Sequence, residues 1–165
     1  MTAHEAKVIG AYLAGVLRME MDATKKVLGA IPDGGFDYRP DEKSMKALDL
    51  AKHIAEGEVM LIEIAVAGGD VPPPTGAKEL TSPAALVAWY EQEVAAALAK
   101  VDAMEGEQLA KVLSVWGGMV TMPAVNFLRL ASAHSIHHRG QLSSYLRPMG
   151  AKVPSIYGPS GDSAS

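Results

Sequence analysis

Apolar residues recur at three- and four-residue steps through four separate stretches of the chain, the period of helices that each bury one face. Between Ala3 and Leu28 they fall at Val8, Ala11, Tyr12, Val16, Met19, Ala23 and Val27. The run "GAIPDGGFDYRPDEKS", with two prolines and three glycines, interrupts the pattern. A second helical run follows Ser44, whose side chain suits an N-cap, and extends to about Val66. The next break, "AGGDVPPPTGAKELT", ends at Ser82-Pro83. There serine can accept from free helix-start amides, and proline fits the first turn because its missing N–H has no partner to lose. The third run continues to about Met104, and the last opens at Thr121, Met122 and Pro123 and reaches Arg147 before Pro148 and Gly150 stop it. Between them, "KVLSVWGGMVTM" alternates weakly around a Gly-Gly, which predicts a short hairpin or an irregular loop.

Four helical runs without an extended sheet predict an all-α four-helix bundle. The connections, roughly 12 to 18 residues, exceed the usual bundle turn, so at least one should cross over the bundle end. Residues 1–150 form a single domain on this reading, and residues 151–165 a C-terminal tail that is partly disordered. A chain of 165 residues that is 48% hydrophobic can bury a sizeable core unaided. No stretch of about 18 apolar residues occurs and no basic leader precedes an apolar core, so the expectation is a cytoplasmic protein without a membrane partner. A formal net charge of −4 and the lack of a basic run argue against a nucleic-acid partner. The absence of cysteine excludes disulfides, thiolate ligands and a cysteine nucleophile. Histidine and the carboxylates are the strong metal ligands that remain.

Three of the five histidines lie in "AHSIHHRGQL". At about 100° per residue, His134 and His138 stand about 40° apart and one turn from each other, on a stripe shared with Phe127, Leu130, Ala131, Gln141 and Tyr145. His137 is about 60° to the other side. An i, i+4 pair can offer two imidazole nitrogens to one cation but needs a third ligand from elsewhere. His53, where an apolar stripe meets the polar start of the second helix, is a better candidate than His4, at the fraying N-terminus. Such a set suits Zn²⁺ or Ni²⁺ first, with Fe²⁺, Mn²⁺ or Cu²⁺ as alternatives, and leaves coordination positions open for catalysis. Spacing alone leaves a hydrogen-bonded polar cluster as an equal reading.

The segment "HSIHHRGQLSSYLRPMG" resembles the last helix of the DinB-like superfamily of metal-binding four-helix bundles, which carries an HxxxHRGQ pattern. "IPDGGFDYRPDEKSMKALDLAKHIAEGE" and "GAKVPSIYGPSGD" are similar to that superfamily's second-helix region and C-terminal ending. The resemblance implies an up-down-down-up bundle with one long crossover, a metal bound by His53, His134 and His138, and a homodimer. It also implies a metal-dependent transferase that uses a low-molecular-weight thiol, of a detoxification or stress type. A metal-dependent hydrolase and a non-catalytic metal-binding or stress-response protein are the alternatives.

His137, Gln141, Tyr145 and Trp116 are the candidates for a substrate pocket around that metal, though a core glutamine, a packed tyrosine and a loop-anchoring tryptophan serve equally as readings. Glu56, about 60° from His53, could reach the metal's surroundings or be solvated. Arg139, about 140° from His134, is expected to face solvent or a carboxylate partner. Gly140 costs about 1 kcal/mol against alanine in a helix, which implies close approach of another backbone. Ser132, Ile136, Ser143 and Leu146, on the side away from the histidine pair, are the expected contact of the last helix with a dimer mate.

Overall fold

A computed structural model describes residues 1–163 of the chain. Its order of elements is α1 (Ala3–Gly29), α2 (Ala47–Ala67), α3 (Pro83–Asp102), a short α4 (Gly106–Ala110), β1 (Val112–Val115), β2 (Val120–Pro123) and α5 (Ala124–Leu146). The four long helices are the four periodic runs, and the hairpin occupies the segment of weak alternation, with Val112 opposite Pro123 and Val115 opposite Val120.

Local chemistry accounts for most boundaries. Thr2 and Glu5 close a reciprocal capping box on α1, and Ser82 accepts from the Ala85 amide with Pro83 in the first turn of α3. Gly68, at φ +73°, ends α2 in the left-handed conformation that glycine adopts without a Cβ penalty. Two expected starts are displaced. Ser44 gives its hydroxyl to Asp41 instead of capping, and α2 begins three residues later behind Lys46, without a side-chain cap. Thr121 and Met122 belong to β2, paired with Ser114 and Leu113, so α5 starts only at Ala124.

The contacts between helices fix the topology. Lys7 reaches the end of α3 at Asp102 while Lys25, toward the end of α1, pairs with Glu91 near the middle of α3, so α1 and α3 run antiparallel. Glu58 meets Tyr90 and Glu63 meets Lys100, so α2 and α3 run parallel. His53 meets His138 while Gly57 meets His134, so α2 and α5 run antiparallel. The bundle is therefore up-down-down-up, and residues 68–82 must cross its length to join two parallel helices. The core between them is built from Leu17, Leu28, Leu50, Ile54, Ile62, Leu86, Leu98, Phe127 and Leu142, all fully buried.

A layer of buried polar groups interrupts that core. Arg139, which the helical wheel sends outward or to a carboxylate, is 1% exposed. Its guanidinium pairs with Glu20 at 2.7 Å and donates to Thr24 on α1 and to the hydroxyl of Tyr157. Breaking a pair this buried typically costs about 3–5 kcal/mol, because the remaining charge stays desolvated. Tyr157 also donates to Glu20 at 2.7 Å. It belongs to the segment expected to be a partly disordered tail, of which residues 164 and 165 lie outside the described residues. Residues 151–163 instead close on themselves through Asp162, which accepts from Arg147 and the Val153 amide, and pack Val153 and Ile156 on the core. Glycine, serine and proline alone read as disorder, but one aspartate and one tyrosine supply the ties.

Glu58 is fully buried, accepts from Tyr90 and Ser135 through Oε2, and leaves Oε1 without a partner. Burial pushes its carboxyl up to about 7, against the opposing pull of those two hydrogen bonds and of Arg139. In the unfolded chain the group returns to an ordinary glutamate value, so the folded state holds the extra proton. Its contribution to stability is thus complete below the unfolded value and is lost as pH rises through about 7. Glu58→Gln should remove this loss. In chelated protein, the urea midpoint of the variant should rise relative to wild type between about pH 5 and about pH 8; a constant difference would show that Glu58 does not titrate there.

Candidate metal centre

Antiparallel packing sets one turn of α2 against two turns of α5, and the imidazoles of His53, His134 and His138 converge between them. His53 Nε2 is 3.1 Å from His134 Nε2 and 3.3 Å from His138 Nε2. The three rings offer one nitrogen each within 4.8 Å of one another. Two nitrogens about 2.0–2.1 Å from one ion, at angles of about 100–110°, stand about 3.1–3.4 Å apart, so the spacings of His53 to His134 and to His138 are ones at which the rings could share a cation.

Hydrogen bonding alone does not satisfy this arrangement. Gln141 Oε1 lies 3.0 Å from His138 Nδ1, which makes Nδ1 the donor and leaves the His138 Nε2 lone pair facing inward. A single N–H on His53 Nε2 can point at His138 or at His134 but not at both, so the other short contact is left as a repulsion between nitrogens that no hydrogen bond relieves. A cation among the three turns that repulsion into attraction. Neutral imidazole is also the ligating form. Burial, with the His138 charge second, holds His53 below the usual histidine range. Burial and the neighbouring histidines hold His134 down to about 4.

The rings are positioned by different means. His138 is oriented by Gln141, whose Nε2 donates to the Tyr145 hydroxyl at 3.4 Å, while the Tyr145 ring meets Tyr38 edge-on. His134 has no such partner: its Nδ1 is buried and makes no hydrogen bond. Packing against Gly57 fixes it, since a Cβ at Gly57 would fall on the imidazole. The sequence signal for Gly57 was a glycine inside a helix, a cost of about 1 kcal/mol that asks for a close approach.

A pocket of about 380 Å³ opens beside His53 and His134. Met60, Leu61 and Leu130 give it apolar walls, Pro73 and Pro74 of the crossover border it, and among the described residues Glu56 is the only carboxylate that lines it. Of the four candidate pocket residues, Trp116 is in this lining. Gln141 and Tyr145 stand behind His138 as supports, and Tyr145 is 3% exposed. His137 is exposed at the surface, its ring 4.8 Å from His138. Trp116 is placed by an unusual backbone: φ is +53°, a region costly for a residue with a Cβ. Its amide donates to Asp70 at 2.9 Å and its indole meets Phe127 edge-on. Glu56, which its wheel position puts either near the metal's surroundings or in solvent, has its Oε1 buried without a partner, and burial raises its carboxyl pKa against the pull of Lys78 and Lys52.

Gly57→Ala should leave the helix content unchanged, alanine being the better helix former, yet displace the His134 ring. Affinity for Zn²⁺ should fall by about 10–100-fold, the range seen when support of a ligand is lost. Competition with a fluorescent chelator measures this, and an unchanged affinity would mean that His134 does not need the glycine.

Comparison with known proteins agrees with this architecture. The model of the DinB family matches residues 11–164. The uncharacterised protein YjoA of Bacillus subtilis is 29% identical over 130 residues, 78% of this chain and 83% of its own length. The crystal structure of that DinB-like protein superposes with a TM-score of 0.71, covering 90% of this chain and 99% of YjoA at 23% identity. A DinB-like protein from Bacillus cereus gives a TM-score of 0.72 at 20% identity, over 88% and 95% of the two chains. YfiT from Bacillus subtilis, described as a probable metal-dependent hydrolase with an unusual four-helix bundle topology, gives 0.68 at 16% identity, over 87% and 89%. With the family model spanning nearly its whole length, the chain belongs to the DinB family.

Proposed function

We propose that this protein holds a divalent transition ion, Zn²⁺ or Ni²⁺, on His53, His134 and His138 and hydrolyses a largely apolar substrate in the adjoining pocket. The observation that carries the reading is the convergence of three imidazoles, with His53 Nε2 3.1 Å from His134 and 3.3 Å from His138, beside an open cavity that His53 and His134 line. Such an ion supplies Lewis acidity, which makes water or a thiol nucleophilic near neutral pH and polarises an electrophile. The protein does the rest. Gln141 keeps His138 in the tautomer whose Nε2 faces inward. Met60, Leu61, Leu130 and Trp116 exclude bulk water from one side of the site and receive the apolar part of the substrate. The description of YfiT as a probable metal-dependent hydrolase supports the same chemistry.

Transfer of a low-molecular-weight thiol is the second reading, since the same ligands serve it and apolar walls suit a hydrophobic acceptor. The lining favours hydrolysis. Among the described residues no lysine or arginine lines the pocket, so an acidic thiol would find no cationic partner there and would meet Glu56.

Elemental analysis of untagged wild type should find about one divalent ion per chain, and His138→Ala should lose most of it. The loaded protein should then cleave aryl ester or anilide substrates and lose activity on chelation. Equal metal content in the two proteins would reject the site. Full loading with thiol conjugation and no hydrolysis would favour the second reading, and loading without turnover on either would favour a non-catalytic metal-binding role.

We also propose that α5 mediates a homodimer, through a different stripe from the one expected. Ser132 and Leu146 are buried within the chain's own bundle, and the outward stripe is Ala133, Ile136, His137, Gly140 and Ser144. A Cβ on Gly140 would meet nothing within 4 Å, which leaves room for a second helix. Sedimentation at micromolar concentration should give a dimer and Gly140→Arg a monomer; a monomeric wild type would remove the proposal.

A further inference from the structure

Three consecutive residues at the turn of the hairpin, Trp116, Gly117 and Gly118, take positive φ, at +53°, +66° and +89°. Glycine does so freely, because it has no Cβ to crowd the following carbonyl. Tryptophan does not, and among the described residues Trp116 is the only one other than glycine in that region. A glycine at 116 would close the same turn without that cost, so the turn itself does not call for the indole.

Two contacts hold the strained residue. Its amide donates to Asp70 Oδ1 at 2.9 Å. Asp70 is exposed and lies two residues beyond Gly68, the left-handed cap of α2, so this bond joins the start of the crossover to the hairpin. The indole stands edge-on to Phe127, with ring centroids 6.5 Å apart. Phe127, Leu130 and His134 follow at three- and four-residue steps on α5, which sets the ring at the end of a stripe carrying two lining residues of the pocket. A hydrogen bond to a charged acceptor is comparable in size with the cost of a left-handed residue that has a Cβ. Without Asp70, the Phe127 contact alone would oppose the strain.

The place of the indole matters because the pocket's walls come from separate segments. α2 and α5 supply the inner lining, and the crossover supplies Pro73 and Pro74. Among the described residues, Trp116 is the only lining residue from the hairpin, and Asp70 is not in the lining.

We propose that Asp70 is a positioning residue of this pocket: by holding the Trp116 amide it keeps the indole as the hairpin-side wall beside His53 and His134. Binding of an apolar substrate then depends on a carboxylate that does not touch it. This deepens the hydrolytic reading and rests on it only for turnover, since the link between Asp70 and Trp116 requires neither metal nor reaction.

The chain has two tryptophans, so protein grown with 5-fluorotryptophan gives two fluorine resonances, which Trp116→Phe assigns. Trp89 packs against Gly76 near the far end of the crossover and reports whether the fold is intact. In metal-free Asp70→Ala, the Trp116 resonance should move toward its position in urea-unfolded protein while that of Trp89 stays. Asp70→Asn, which keeps an Oδ1 acceptor, should hold both near their wild-type positions. An unmoved Trp116 resonance in Asp70→Ala, or an equal displacement in Asp70→Asn, overturns the proposal. Should Asp70→Ala fail to fold, hydrogen exchange of the wild type decides. Its Trp116 amide should exchange at least about tenfold more slowly than in the unfolded chain, and an unprotected amide rejects the bond. With Zn²⁺-loaded protein and a 4-nitrophenyl ester, Asp70→Ala should raise KM about fivefold at unchanged kcat, the pattern of lost ground-state binding. A fall in kcat at unchanged KM counts against a wall and overturns the proposal. If wild type cleaves no ester, the hydrolytic reading fails, and the resonances decide this one alone.

Discussion

Gly57 has no side chain, and the His134 imidazole occupies the space where one would begin. This close approach is the point at which α2 and α5 are locked, and the geometry of the site follows from it. With His134 seated against Gly57, antiparallel packing carries His138 one turn along α5 to His53, one turn back along α2, and the three nitrogens meet. The same topology makes α2 and α3 parallel, so the chain must travel the length of the bundle between them. That crossover puts Pro73 and Pro74 at the border of the cavity, and their fixed φ stiffens it there.

One stretch of α5 serves two purposes in alternate directions. His134 and His138 turn toward His53 on α2, while Ser135 and Arg139, each the next residue, point into the bundle. Ser135 donates to Glu58 on α2, which also accepts from Tyr90 on α3. Arg139 pairs with Glu20 and donates to Thr24 on α1, and Tyr157 joins the same group from the C-terminal segment. Every long helix is thus tied, by directional bonds in a low-dielectric interior, to the segment that bears the ligands. Apolar packing alone would permit small rotations of α5 about its axis, and a few degrees would spread the nitrogens beyond ligand spacing. The polar layer resists that rotation.

What the sequence disclosed and what it hid divide along the range of the forces involved. Ser82-Pro83 marked a helix start because a cap acts over three residues. Ser44 misled because Asp41, three residues before it, competes for the same hydroxyl, and nothing local ranks the two partners. His134 and His138 were legible as a pair from period alone, and His53 as the partner by resemblance and by elimination of His4. Arg139 was placed by a wheel that assumes one buried arc. A helix inside a bundle packs against two neighbours, so a second arc, here facing α1, is buried as well. Gly57 was visible as a residue but not as a socket, because that property belongs to its contact with a helix some eighty residues away.

The chemistry of the ligand set bears on why a carboxylate borders this cavity at all. Three neutral imidazoles bring no charge to a divalent cation, so its full charge must be balanced by solvent, by substrate or by the surrounding protein. The walls of the pocket are apolar apart from Glu56. A carboxylate there offsets part of that charge through space, in surroundings where the attraction is screened less than in water. Such an interaction needs no hydrogen bond, so Glu56 could stabilise a cation held by the histidines from its place in the pocket lining. Placing the counter-charge outside the ligand set also leaves the ion a stronger Lewis acid than a fourth, anionic ligand would. One carboxylate three residues from His53 would thereby balance a cation held by the histidines without occupying a coordination position or closing the pocket beside them.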